Sequence, residues 1–368
     1  SALALPWLVK FLWAPLVDRY GSVRFGHYRS WIVPLQLLTV LAVVALSRVD
    51  LGRGLTGLLV AAGAFMLCSA TQDIATDGLA VRSLRREERG LANGIQVGGY
   101  YLGQILGGGL ILIVFSRFGW SAAVLSMALF LALPLWPTTR FREPGHPPGR
   151  TPGVRVDWKA LGRFATRSGA GVWILILLLY RSGEAMALTM VNPMLVDLGL
   201  TLDEIGLLLG LAGSLASFAG AVGGGLWIAR VGRRRSLVVF GLLQAVALGG
   251  YLLPASGFTW LPAIYAVTMT AACCSGMATA ALYTNMMDRC DPATGATDFT
   301  LQQSLCAVGP LVAASLSGFS AASLGYAMHF GMTVAVALIA VGVVAAGLTE
   351  ASGAPRPAVG AVSTAADA

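Results

Sequence analysis

Residues 65–89 read FMLCSATQDIATDGLAVRSLRREER, and the fold follows from how this stretch is built. It opens as an apolar helix, places Gln72, Asp73 and Asp77 within that helix, and ends abruptly in Arg82, Arg85, Arg86 and Arg89. Asp73 and Asp77 lie one helical turn apart, so they share a face with about 6 Å of rise between them. Carboxylates inside an apolar segment are costly unless paired, protonated or facing water, which makes both candidates for function.

The rest of the chain is of the same kind. Of its 368 residues, 56% are hydrophobic and only 11% charged, with a mean hydropathy of +0.74. A water-facing surface carries roughly 25% charged residues, and apolar runs of membrane-spanning length recur from end to end. The fold class is therefore an all-α polytopic membrane protein. The net charge of +8 would suit nucleic acid if it gathered on one face, but the basic residues fall on alternate loops. Arg19, Arg24 and Arg29 lie in the first loop, the arginines of 82–89 in the third, and Arg140, Arg142, Arg150, Arg155, Lys159, Arg163 and Arg167 in the fifth. Arg230, Arg233, Arg234 and Arg235 lie in the seventh, while loops of the other parity hold only Arg48, Arg53 and Arg117. This asymmetry places the basic loops on the cytoplasmic side. It is a topology signal, and no nucleic-acid partner is expected.

Eleven spans are expected, at about 2–17, 31–47, 55–81, 91–115 and 120–136, then 171–195, 204–228, 237–254, 261–287, 299–319 and 326–348. The first exits into a basic loop, so the alternation predicts a further helix before Ser1. The expected organisation is a helical half over 1–136, a cytoplasmic loop over 137–170, a six-helix half over 171–348 and a disordered tail over 349–368. The five cysteines sit in or beside apolar segments without C-x-x-C spacing and read as small apolar residues. No metal or cofactor is expected.

Internal repetition supports two halves. Residues 14–21, APLVDRYG, and 225–232, GLWIARVG, align on Arg-x-Gly, and each is followed by basic residues. Both resemble the G-x-L-x-D-R-x-G-R-R loop signature of the major facilitator superfamily, although the second has Ala229 where the signature has Asp. The segments LPWLVKFLWAPLVDRYG, SATQDIATDGLAVRSL, ERGLANGIQVGGYYLG, LLLYRSGEAMA and ATDFTLQQSLCAVG further resemble one branch of that superfamily. This branch is the peptide–acetyl-coenzyme A transporter group, with AmpG-type muropeptide permeases and RhtX/FptX-type siderophore permeases. The resemblance implies two six-helix halves and proton-coupled or gradient-driven uptake of a large polar solute through the bacterial inner membrane; a monomer is expected. The wording GLAVR and GGYYLG is closer to the siderophore permeases, so iron–siderophore uptake is the first expectation and a muropeptide the second. Acetyl-coenzyme A ranks last, because its several phosphates would meet only Lys10 and Arg181 as basic residues within the spans.

The candidate substrate and coupling residues are those placed deep in the spans. Tyr180, Arg181 and Glu184 lie ten to thirteen residues into the sixth span, which is about 15–20 Å and close to mid-bilayer. Arg181 and Glu184 can share a face. They read either as a self-neutralising pair or as a receptor for an anionic group with a titrating partner. Lys10 and Asp73 lie at similar depth, roughly 12 Å above their basic loops, and Lys10 can reach Asp73 or Asp77. Gln96, Tyr100 and Gln104 form a polar stripe at i, i+4, i+8, and Gln302 and Gln303 are further uncharged candidates. Asp18, Arg19, Arg230 and Arg233 fall in the repeated loop motif and are the expected gate, with Asp77 an alternative partner of the Arg19 loop. An intramembrane aspartyl protease is excluded in practice by the absence of G-x-G-D, and no H-E-x-x-H or G-x-S-x-G occurs. A non-transporting membrane receptor or scaffold is the alternative from another class.

Overall fold

The computed structural model describes residues 5–22, 24–48, 56–143 and 158–348. The expected tail over 349–368, and Arg53, Arg150 and Arg155 of the loop tally, lie outside the described residues. Within them the chain is helical, with one isolated bridge between Ser22 and Gly26. The first helical segment is broken into α1, Leu5–Val9, a tight turn over Lys10–Leu12, and α2, Ala14–Arg19. Pro15 in the first turn of α2 has no N–H to give to a continuous helix, which accounts for the break there. Then come α3, Arg29–Leu46, and α4, Thr56–Ser83. Next, α5, Arg89–Gln104, runs through a wide turn over Ile105–Leu110 into α6, Ile111–Ala132, followed by α7, Leu135–Arg140.

Residues 137–170, expected to be loop, contain α8, Lys159–Thr166, together with the end of α7. Phe164 is buried while Arg163 and Lys159 stay in water, so this short helix is amphipathic and rests against the bundle. The second half follows with α9, Ala170–Leu179, α10, Ser182–Asp197, and α11, Leu202–Ile205. A wide turn over Gly206–Gly213 leads to α12, Ser214–Val231, and then come α13, Arg233–Gly249, α14, Leu252–Ala255, α15, Leu261–Asp288, and α16, Gly295–Gly347. The expected capping box at the start of α11 is present, with Thr201 and Glu204 satisfying each other's backbone N–H.

Among the described residues eight helical stretches are long and apolar enough to cross a membrane, two of them 52 and 53 residues long. A 53-residue helix would be about 80 Å long against a hydrocarbon core of about 30 Å, and each long stretch is in fact broken by a glycine. Gly119 and Gly325 both take φ +79°, a backbone that side-chain-bearing residues rarely adopt. The chain doubles back at both. Ser320 and His329, on opposite sides of Gly325, share a hydrogen bond of 2.7 Å. Ile111 and Phe115 before Gly119 line the same apolar pocket as Ala123 and Met127 after it. The sequence breaks drawn at 115–120 and 319–326 coincide with these reversals.

The two halves meet along α5 and α12, α5 and α15, α4 and α16, and α2 and α16. The α5–α12 crossing is a glycine contact. A Cβ on Gly94 would stand 2.5 Å from the Ala221 carbonyl oxygen, and one on Gly90 2.7 Å from that of Gly225. Large apolar side chains such as Phe118, Leu129, Val246 and Phe319 point outward from the bundle, as a lipid-facing surface requires.

Candidate functional site

Two charge clusters lie within the bundle, and each forms where a helix is interrupted. In the second half the break falls between α9 and α10, at Tyr180 and Arg181. Broken helices at mid-membrane are where transporters of this architecture place binding groups, because freed backbone and side chains then face a cavity. Arg181 Nε lies 3.4 Å from Glu184 Oε2. Gln244 Nε2 on α13 donates to the same oxygen at 3.3 Å, and the Ser275 hydroxyl on α15 donates to Oε1. Glu184 is thus buried and held from three elements. Arg181 lies deep in the protein among Tyr101, Tyr283 and Cys306, yet 32% of its side chain is accessible.

Tyr180, expected beside the substrate, instead packs in the apolar core and donates its hydroxyl to the Leu237 carbonyl at 2.8 Å. Successive residues of a helix point about 100° apart, so Tyr180 turns away from the face that Arg181 opens onto.

The first-half cluster forms at the turn over Lys10–Leu12. Lys10 is 3% exposed; its ammonium donates to Asp73 Oδ2 and, at 2.5 Å, to Gln303 Oε1 across the interface on α16. It also lies 5.0 Å from the centre of the Trp7 ring. Asp73 keeps 26% of its side chain accessible, whereas Asp77 is fully buried and receives Gln96 Nε2 at 2.8 Å. The expected Lys10–Asp73 pair is therefore present, and Asp77 faces α5 rather than the Arg19 loop.

The stripe Gln96, Tyr100, Gln104 does not hold together. Tyr100 is 64% exposed and Gln104 is exposed as well, because a four-residue step overshoots a helical turn by about 40° and the drift accumulates. Gln302 is also displaced from the site. Trp173 Nε1 donates to it at 2.7 Å and it donates to the Met286 carbonyl at 3.1 Å, deep in the second-half core. Its neighbour Gln303 is the residue that reaches Lys10.

At the basic-loop face the halves are tied by polar contacts. The Asp18 carboxylate accepts from the Thr297 N–H at 2.8 Å, the Thr297 hydroxyl at 2.7 Å and the Ala296 N–H at 3.2 Å, all at the start of α16. Tyr28 adds its hydroxyl at 2.8 Å. Burial pushes the Asp18 carboxyl above its ordinary range, and these donors pull it part of the way back. Arg233 lies 2.7 Å from Asp288, which also pairs with Arg89 at 3.0 Å and Arg86 at 3.7 Å. Arg19 stacks near Tyr20 and Arg230 is exposed, so neither joins this network. Asp288 escaped the sequence reading because it lies outside the repeated motif, at the end of α15. The missing acid at Ala229 was its one signal, since Arg233 then needed a partner from elsewhere.

Two bundled halves, buried charges at broken helices and a polar interface on the basic-loop side define a multi-pass membrane transporter fold. The sequence profile of the Major Facilitator Superfamily matches residues 1–314 and again 174–365, and the chain belongs to that family, which places it among transporters rather than enzymes. It is 31% identical to the anhydromuropeptide permease of Escherichia coli (strain K12), over 92% of this chain and 70% of that protein. It is 25% identical to a putative transporter AmpG 3 of Rickettsia typhi, over 90% of this chain and 82% of that one. Among solved structures it resembles the human organic anion transporter MFSD10 with a TM-score of 0.69 at 18% identity, covering 93% of this chain and 82% of the other. The Escherichia coli fucose:proton symporter FucP follows with a TM-score of 0.64 at 13% identity and 93% coverage of both chains. These two likenesses bear on the fold.

Proposed function

We propose that this protein carries a polar, anionic solute of the muropeptide class across the bacterial inner membrane by alternating access, with proton coupling. The observation that carries the reading is Arg181, set at a helix break, paired with the buried Glu184 and with 32% of its side chain accessible. A guanidinium presented this way binds a carboxylate through charge-assisted hydrogen bonds. The 31% identity to an anhydromuropeptide permease supports the choice of class. The siderophore expectation gives way here, because it rested on short stretches of wording whereas this relative matches 92% of the chain.

The halves 1–136 and 171–348 act as the two rocking bodies, working as a monomer. Asp18 and the Asp288 arginine cluster hold them shut on the cytoplasmic side. Glu184 serves to orient Arg181. The test is uptake into cells lacking their own permeases, comparing radiolabelled anhydromuropeptide, a ferric siderophore and acetyl-coenzyme A. Accumulation of the anhydromuropeptide, abolished by Arg181→Gln, is expected. Accumulation of the siderophore in its place would overturn the substrate class, and accumulation of none would favour the receptor or scaffold reading.

A further inference from the structure

We propose that Asp77 is the group on which the coupling proton travels, a role that rests on the transport reading above. Asp77 sits in α4 with no exposed surface. One carboxylate oxygen takes the Gln96 amide, and the other, Oδ2, has no hydrogen-bond partner among the described residues. The cation at hand is Lys10, whose ammonium is already engaged by Asp73 and by Gln303. The other groups around Asp77 are the Gln303 side chain, which is uncharged, Asp73 one turn away on α4 and, farther off, Tyr283 of α15 and the Cys290 thiol. None of them supplies a second positive charge.

The cluster therefore holds two carboxyls and one ammonium, and it is neutral only with one carboxyl protonated. A fully buried oxygen with no donor in hydrogen-bonding geometry is the place for that proton, since an ionised oxygen there would lack water and have no cation of its own. Glu184 is built the other way. Both of its oxygens have partners, an arginine and an amide on one and a hydroxyl on the other.

Asp73, partly accessible, is the entry point. A proton from water passes to Asp73 and then forms the O–H bond at Asp77 Oδ2. When the halves part on the cytoplasmic side, that bond breaks and the proton leaves to water. The carboxylate left behind draws Lys10 away from Gln303, the contact that joins the halves at this level. Proton release and interface opening are thereby linked.

Two readouts on the full chain test this. Infrared spectra of the purified protein at neutral pH should contain a carboxylic-acid carbonyl component that Asp77→Asn removes and Glu184→Gln keeps. A component unchanged in Asp77→Asn overturns the proposal. In proteoliposomes, Asp77→Asn should retain exchange of radiolabelled anhydromuropeptide without a gradient, which also reports intact folding. Its accumulation under an inward pH gradient should fall about tenfold or more. Accumulation at the wild-type level overturns the proposal. If the wild type exchanges no anhydromuropeptide, the substrate reading fails, and the infrared component still decides for or against Asp77.

Discussion

The two intramembrane charge clusters have similar ingredients and opposite construction. Around Arg181 one cation meets one carboxylate, and that carboxylate is completed by Gln244 and Ser275. Around Lys10 one cation serves Asp73, Gln303 and the neighbourhood of Asp77, and a buried oxygen is left bare. A satisfied network is rigid and presents its cation in one geometry, which suits recognition of a fixed anionic group. An under-supplied one has a vacancy that a proton fills, which suits a step that must reverse in every cycle. In both clusters the cation sits at a helix break while its carboxylate partners lie on continuous helices.

This contrast can be broken by removing each cation in turn and following thermal unfolding of the purified protein. Arg181→Met strands Glu184 as a buried carboxylate and should cost about 3–5 kcal/mol. The double variant Arg181→Met/Glu184→Gln should recover most of that loss. Equal loss in both would show that the pair is not the satisfied unit described. Lys10→Met should cost less, about 1–3 kcal/mol, because Asp73, the carboxylate left without its ammonium, keeps contact with solvent. A loss as large as that of Arg181→Met would erase the distinction between the clusters. Thr201→Ala, far from both, removes a helix cap and should cost about 1 kcal/mol, with uptake unchanged. An effect on uptake would mean that α11 participates in the cycle.

Much of this was legible in the residues themselves. The spanning helices followed from apolar runs, and the Lys10–Asp73 and Arg181–Glu184 pairs from depth counted along a helix. Counting depth has a limit, however, because it gives height in the membrane and leaves facing open. Tyr180 and Gln302 pack in the second-half core, while their neighbours Arg181 and Gln303, one residue further on, join the two charge clusters. The stripe from Gln96 to Gln104 failed for a related reason, since spacing by four drifts around the helix. Thr297 was illegible because its partner Asp18 comes from the other half, and Asp288 because two of its three arginines, Arg86 and Arg89, do, all more than a hundred residues away in sequence. Two glycines, Gly119 and Gly325, carried more information than their composition suggested, since a positive φ at each turns one apparent helix into two.

The central claim is that Arg181 receives a carboxylate of a muropeptide-class solute. It is tested most directly by competition of an anhydromuropeptide with its carboxyl-amidated form for uptake in proteoliposomes, in the wild type and in Arg181→Gln. The account predicts that amidation weakens competition about tenfold to a hundredfold in the wild type, the worth of one charge-assisted hydrogen bond, and that this discrimination disappears in Arg181→Gln. Discrimination that persists undiminished in Arg181→Gln would contradict it.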